Sequence, residues 1–595
     1  MRAERSRSAV VHRGGDFAPN TRLILLSTFA IAIGAISTAG AMFLLSAIRF
    51  FTNLFFFQTF SLVARSPAEN HLGAWVILVP AIGGLIVGLM ARFGSEKIRG
   101  HGIPEAIEAI LFGKSRMSPK VAILKPLSSG IVIGSGGPFG AEGPIIMTGG
   151  AAASMLAQAF HLTAAERKAL LVAGACAGMT AVFGTPLAAI LLAVELLLFE
   201  LRPRSLLPVA LSCAVAGFLR PLWAGAGPLF PGATPPATWT ALVSCCVAGL
   251  ASGVVSAAMT LLLYRIEDLF GRLPVHWMWW PALGGLVVGI GGLIAPRALG
   301  VGYDVIGDLL ANHLVASAVL ALLVVKLVIW AVALGSGTSG GVLAPLLMMG
   351  AGLGSLLSRW LPGGSPELWA LVCMAAILGG TMRAPLTAVV FAFGLTHDSN
   401  AFLPTILACA VAYGFTVIVM PRSILTEKIA RRGRHVFREY GVDVLERHSV
   451  EEVMTRTVIE VPATLCVADV HTRFFGAGQR HRAYPLTTEG RLVGMVDRPT
   501  IVALGPESAA QPIGRVLETG ASPEFALPTE TCRSIAHRLA ALGRERLPVV
   551  DDPAELRLVG IVSRSDLLKP MRAQHEEESV RERILHLGRR ATGDG

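Results

Sequence analysis

The sequence is short of charge. Of its 595 residues 15% are Asp, Glu, Lys or Arg, while 53% are hydrophobic; soluble domains carry about 25% charged residues. This excludes a soluble protein over most of the length. The deficit is uneven. From about Thr21 to Met420 one apolar run follows another, broken by short Gly, Pro or charged punctuation; after Met420 the chain is rich in Arg and Glu. Runs such as RLILLSTFAIAIGAISTAGAMFLLSAI and AFLPTILACAVAYGFTVIVM can cross about 30 Å of hydrocarbon. The composition reads as an integral, multi-pass membrane protein with a C-terminal soluble domain.

Other absences narrow the function. The eight cysteines show no metal-ligand spacing: Cys176, Cys213, Cys245, Cys246, Cys373 and Cys409 lie in apolar runs, and Cys466 and Cys532 stand unpaired in the tail, as in a reducing cytoplasm. HExxH, GxSxG and paired-aspartate motifs are missing, so no enzyme is expected. No cleaved signal is read at the start, where Arg2, Arg5, Arg7 and Arg13 are scattered over a polar stretch before an apolar run too long for an h-region. Arg422, Lys428, Arg431, Arg432 and Arg434 follow the last apolar run. Basic flanks stay on the cytoplasmic side, so both termini are expected in the cytoplasm, with an even number of crossings of the plasma (cell inner) membrane. These flanks largely account for the net charge of +11. The partner they imply is the lipid bilayer rather than nucleic acid.

What is present is a repeated, unusual stretch. Residues 134–144 read GSGGPFGAEGP and residues 335–345 read GSGTSGGVLAP, an offset of 201; downstream, PLAAILLAVE from Pro186 and PLTAVVFAFG from Pro385 repeat at 199. Two motifs in the same order at nearly one offset indicate an internal duplication, about 21–225 and 238–432, of the inverted kind that places a binding site between the halves. Segments such as PIIMTGGAAASMLAQAF and PLAAILLAVELLLFE are too short to span comfortably and read as partial helices. Unpaired backbone in hydrocarbon is tolerated only where protein or water surrounds it. Here glycine-rich chain leads through proline into a helix, and proline suits a first turn. The exposed N–H groups and positive end of such a helix form an anion site without Lys or Arg. The glycines lack the GxGxxG spacing and no GK[ST] follows, which excludes a nucleotide loop.

Glu142 stands inside the first stretch. Ionised, it competes for the place of an anion; protonated, it swings away. Intramembrane acids are costly and usually functional, so Glu142 reads as a gate and a proton carrier.

These residues resemble the CLC chloride channel and transporter family over about residues 20 to 432. GAEGP (140–144) is similar to the family's GREGP, GHGIPE (100–105) to GSGIPE, and GGVLAP (340–345) to GGIFAP; TPLAAILLAVE (185–195) and RAPLT (383–387) match two further segments. The resemblance implies an all-α, inverted-repeat membrane fold and a homodimer with one pore per subunit. It implies an anion site at His101, Gly102, Ile103, Ala141, Gly143, Val342, Leu343 and Leu425, with backbone N–H groups of Val342 and Leu343 binding the ion. Three departures bear on mechanism. His101 replaces the family's central serine, Leu425 replaces a tyrosine near the inner end, and Leu196 stands where proton-coupled members have a second acid after Glu195. Members lacking that acid generally behave as channels, though some exchangers lack it too. His101 either donates to the anion or caps its helix. Lys125, Lys326 and Arg383 either shape the field or satisfy nearby carboxylates and carbonyls.

The tail resembles a pair of CBS domains, an α/β repeat of about 65 residues at 449–503 and 512–570. A linker (433–448) precedes it, a charged tail (571–595) follows, and residues 1–20 form an N-terminal tail. In adenosine-binding members a Ser/Thr-x-x-Asp after the last strand holds the ribose and phosphates; Ser563 and Asp566 fit that pattern, and Asp566 alternatively caps the following helix. The first copy offers Asp497 and Thr500 instead. No cofactor is required, and an adenine nucleotide at the CBS pair is the one this pattern admits. The expected function is a chloride channel of CLC type, gated by Glu142 and regulated by the tail. The alternative is an anion/proton antiporter for chloride, nitrate or fluoride, using Glu142 and Glu195. A CBS-containing divalent cation transporter is the reading of a different class; it needs clustered pore carboxylates, and the Gly-Pro helix starts favour the opposite polarity.

Overall fold

The computed structural model describes residues 22–436, 444–476, 479, 481–517 and 523–579. The expected N-terminal tail, 437–443 of the expected linker and 580–595 of the expected charged tail lie outside the described residues. One compact unit ends at His435 and another begins at Val436.

The first unit is helical throughout. Its first half runs α1 (Arg22–Phe57), α2 (Leu78–Phe93), α3 (Ile103–Leu111), α4 (Pro119–Gly134), α5 (Glu142–Gln158), α6 (Ala164–Phe183), α7 (Pro186–Leu192), α8 (Pro203–Leu219) and the short α9 (Pro221–Ala224). The second half runs α10 (Ala241–Gly271), α11 (Trp280–Ile294), α12 (Tyr303–Leu310), α13 (Ala316–Gly335), α14 (Leu343–Leu357), α15 (Pro366–Met382), α16 (Pro385–Thr396) and α17 (Phe402–Val419), and closes with α18 (Ile424–Ala430). Seven helices among the described residues are long and apolar enough to cross a membrane. Others stop short: α14 has 15 residues, α16 has 12 and α7 has 7. At 1.5 Å per residue these cover less than a bilayer's hydrocarbon.

The duplication extends well beyond the two motifs read in sequence. GGLIVG (83–88) in α2 matches GGLVVG (284–289) in α11, and the two helices pack directly on one another. A Cβ at Gly84 would lie 2.2 Å from the carbonyl oxygen of Pro281, and one at Gly285 would lie 2.3 Å from that of Pro80. Backbones meet this closely only through small residues. Buried lysines repeat at the same offset. Lys125 Nζ donates to the carbonyls of Ile98 (2.8 Å) and Gly100 (2.9 Å); Lys326 Nζ donates to those of Ala298 (2.9 Å) and Gly300 (2.8 Å). Each pins the turn that leads into a short helix, α3 in one half and α12 in the other. Arg383 likewise donates to the carbonyls of Thr416 and Met420. All three cations thus serve carbonyls, the satisfaction a buried charge requires.

The second unit holds two strand–helix repeats. In the first, β1 (Val461–Pro462) pairs parallel with β2 (Ala483–Thr488), and β2 pairs antiparallel with β3 (Arg491–Asp497). In the second, β4 (Arg546–Val550) pairs antiparallel with β5 (Leu558–Ser563), and Ala526 bridges Val549 in parallel. The linear boundaries 449–503 and 512–570 do not correspond to two separate cores. Val450, Val453 and Met454, which open the first copy, pack with Ile535, Leu547 and Val562 of the second. Ile513, which opens the second, packs with Val461, Leu486 and Val496 of the first. Each copy exposes an apolar face that the opening turn of the other covers.

The repeated lysines generate a paired prediction. Lys125→Met and Lys326→Met each orphan two buried carbonyls, and such losses cost about 2 to 4 kcal/mol. Both variants are expected to lower the thermal midpoint of the detergent-solubilised protein by similar amounts.

Candidate functional site

The site forms where the halves touch. Helix α4 ends at Gly134 and α13 at Gly335, and each chain turns through a left-handed glycine, Gly136 (φ 98°) and Gly337 (φ 80°), a conformation that disfavours any side chain. The two loops then meet. Gly341 N–H donates to Gly140 O at 3.0 Å, and Gly140 N–H donates to Gly341 O at 3.3 Å. Immediately beyond this bridge, α5 starts at Glu142 and α14 at Leu343.

Neither helix is capped by its own N-cap side chain. The N-cap residues are Ala141 and Val342, which have no side-chain acceptor for the first-turn N–H groups. For α14 the acceptor comes from the other half. The Glu142 carboxylate is fully buried, and its Oε1 accepts from the Ala344 N–H at 2.7 Å; the amide of Leu343 faces the same carboxylate. Its Oε2 has no hydrogen-bond partner. The carboxylate therefore sits where the sequence placed an anion, with the strongest donor one residue beyond the expected Val342 and Leu343. That shift has a physical signal: side-chain caps reach the second and third amides of a helix. A Cβ at Gly341 would fall 2.6 Å from Gly140 O and 3.0 Å from Glu142 Cδ. Glycine at 341 is what leaves room for the carboxylate.

Helix α3 approaches the start of α5 from the side. A Cβ at Gly143 would lie 1.8 Å from His101 O, and one at Gly102 (φ 91°) would lie 2.6 Å from Gly143 O. His101 is 2% exposed and its Nδ1 has no partner; its ring is not bonded back as a cap through that nitrogen. The Gly102 amide donates to Glu105 at 2.9 Å, because a carboxylate in the first turn captures the free amide ahead of it. Glu105 in turn pairs with Arg432 at 2.8 Å. Ile103 is buried at the first position of α3. Leu425 is buried in α18, which packs on α3. No hydroxyl stands at Leu425, and the neighbouring Ile424 carbonyl accepts from Tyr264 of α10.

Glu195 performs a second cross-half cap. The chain after α7 widens into a π-turn over Ala193–Leu198. There Glu195 Oε2 accepts from Thr387 N–H (2.8 Å) and Oε1 from Leu386 N–H (3.2 Å), at the start of α16. The structure gives this expected gating and proton residue a capping task. In the second unit, Ser563 N–H and Oγ both donate to Asp566, which also pairs with Lys569. This is the helix-capping alternative read from the sequence, at the start of α19, defined here as Arg564–Ser579.

Known proteins resemble this chain in sequence and fold. The family model described as voltage gated chloride channel matches residues 82–417, and the CBS domain model matches 521–572. A relative from Citrobacter koseri, named voltage-gated ClC-type chloride channel ClcB, is 30% identical over 430 residues, covering 69% of this chain and 98% of the relative. A Salmonella typhimurium protein of the same name is 31% identical over 426 residues, with 69% and 98% covered. Among solved structures, a slow cyanobacterial Cl−/H+ antiporter superposes with a TM-score of 0.61 at 20% identity, covering 70% of this chain and 99% of that one.

Crowding at the halves' contact predicts the effect of one methyl group. Gly341→Ala forces apart the Gly140 bridge or the Glu142 carboxylate, and overpacking of this kind costs about 1 to 3 kcal/mol. The variant is expected to melt earlier in detergent, whereas Ala at the open position Gly414, which has no atom within 4 Å of its would-be Cβ, is expected to melt like the parent.

Proposed function

The chain belongs to the voltage-gated chloride channel (CLC) family, and on that premise we propose that it is a chloride-conducting channel gated by Glu142 and regulated by its CBS pair. The observation that carries this reading is the buried Glu142 carboxylate on the Ala344 amide. An ionised carboxylate makes a charge-assisted bond to an amide, about twice as strong as a neutral one. Protonation weakens that bond, and a chloride ion then takes the amides. Binding by partial charges is weak enough to let the ion leave. In this proposal each subunit of a homodimer holds one pore, in the cell's inner membrane with both flanks cytoplasmic.

Uncoupled conduction is supported by two features of this chain. Leu196 occupies the position of the second acid, and the oxygens of Glu195 accept from α16 amides. A proton-coupled exchanger is the second reading, favoured by the Glu142 carboxylate, which is buried and has one oxygen, Oε2, without a partner and so open to a proton. For the tail we propose an adenine nucleotide as ligand, with Ser563 and Asp566 exchanging their mutual bond for the ribose.

The test is anion flux from purified protein in liposomes. Chloride efflux is expected to leave external pH unmoved, whether or not a proton ionophore is present; stoichiometric proton uptake establishes the exchanger instead. Glu142→Gln is expected to conduct with no pH dependence between pH 4 and 8, roughly the span over which carboxylates titrate in proteins. PH dependence retained in that variant removes Glu142 from the gate.

A further inference from the structure

The duplication places Tyr303 opposite the site. GHGIPE (100–105) and GVGYDV (300–305) occupy equivalent turns, each pinned by its lysine, so Tyr303 begins α12 as Ile103 begins α3. The ring of Tyr303 is held at its edges by Phe183 (6.2 Å between centroids) and Phe230 (6.3 Å). Phe183 packs in turn on Phe391 (5.0 Å), and Phe230 N–H donates to Leu395 O (2.9 Å). The hydroxyl at the end of this fixed ring is buried and has no hydrogen-bond partner. The charge within its electrostatic reach is Glu142, whose Oε2 is also without a partner. Helix α12 packs on α14, the helix that Glu142 caps, and a Cβ at Gly302 would lie 2.3 Å from Met348 Cε of α14. A donor and an acceptor, each unsatisfied, thus belong to directly packed elements.

We propose that Tyr303 is the second docking point of the gate: its hydroxyl receives the Glu142 carboxyl when that group leaves the Ala344 amide. The inference rests on the gating role of Glu142 and names the residue that stabilises the released position. A buried hydroxyl with no partner is destabilising in the resting state, and phenylalanine would fill the same aromatic pocket without it. The hydroxyl therefore acts in another state. The other ionisable groups around this point are engaged or offset. Lys326 lies behind Gly302 and is bonded to Ala298 and Gly300. Asp304, next on α12, accepts from Ser66. His101 lies beside α5 with its carbonyl against Gly143.

Tyr303→Phe keeps the ring and removes only the oxygen, so folding is preserved. In liposome flux, loss of the docking bond makes release of the protonated carboxyl harder. The midpoint of the pH–flux curve is expected to move to lower pH by about 0.5 to 1 unit, the size one hydrogen bond gives. In the Glu142→Gln background the same substitution is expected to change nothing. A midpoint that stays put or moves to higher pH in Tyr303→Phe, while Glu142→Gln abolishes pH dependence, overturns the docking role and leaves the gate intact. PH dependence surviving in Glu142→Gln overturns the gate itself, and an equal effect of Tyr303→Phe in both backgrounds shows that the hydroxyl acts elsewhere.

Discussion

Everything in the membrane unit is arranged around the uncapped amides at the start of α14. A helix N-terminus carries roughly half a positive charge, and that charge is available only while no local side chain neutralises it. Val342 at the N-cap cannot do so, and the lysines and Arg383 do not contribute, because carbonyls have taken them. One carboxylate, from the opposite half, fills the place. In the proposed function, a single acceptor that can lose its charge turns this structural cap into a gate. A permanent local cap would block the site, and a nearby ammonium would hold an anion too firmly.

The duplication explains why so irregular a backbone is stable. Two loops that end helices inside apolar surroundings would each leave N–H and C=O groups without partners, a loss of several kcal/mol per group. By meeting at Gly140 and Gly341 they satisfy one another. The preceding turns are satisfied by lysines that themselves needed acceptors. The costs of a broken helix and of a buried ammonium offset each other twice, at positions 201 residues apart. Glu195 applies the same solution to α16, where a carboxylate from one half caps a helix of the other.

How much of this was legible in the sequence depended on whether the signal was local. GSGGPFGAEGP and GSGTSGGVLAP announced broken helices, because glycine frees the backbone and proline restricts it wherever they occur. Glu142 was legible for the same reason, being an acid in an apolar run. The tasks of Lys125 and Lys326 were left open, since which acceptor a buried cation finds depends on turns brought to it by folding. The bond from the Gly102 amide to Glu105 was not legible, because GHGIPE shows both residues without showing which acceptor the amide meets. The crosswise cores of the second unit were also out of reach: a repeat in sequence fixes what each copy contains, not which copy covers it. Tyr303 gave no motif at all and becomes informative only once the two halves are superposed.

Among the buried polar atoms left without partners are Glu142 Oε2, His101 Nδ1 and the Tyr303 hydroxyl. Native proteins seldom leave such groups unsatisfied, and each instance calls for a reason. These three differ in kind: an acceptor, a ring nitrogen that accepts or donates, and an O–H donor. Glu142 is retained at rest as the cap of α14, but a packed apolar isostere exists for the imidazole and the phenol, whose retention the resting structure does not explain. In the proposed function they acquire their partners in turn, as an anion, a proton or the carboxyl itself moves.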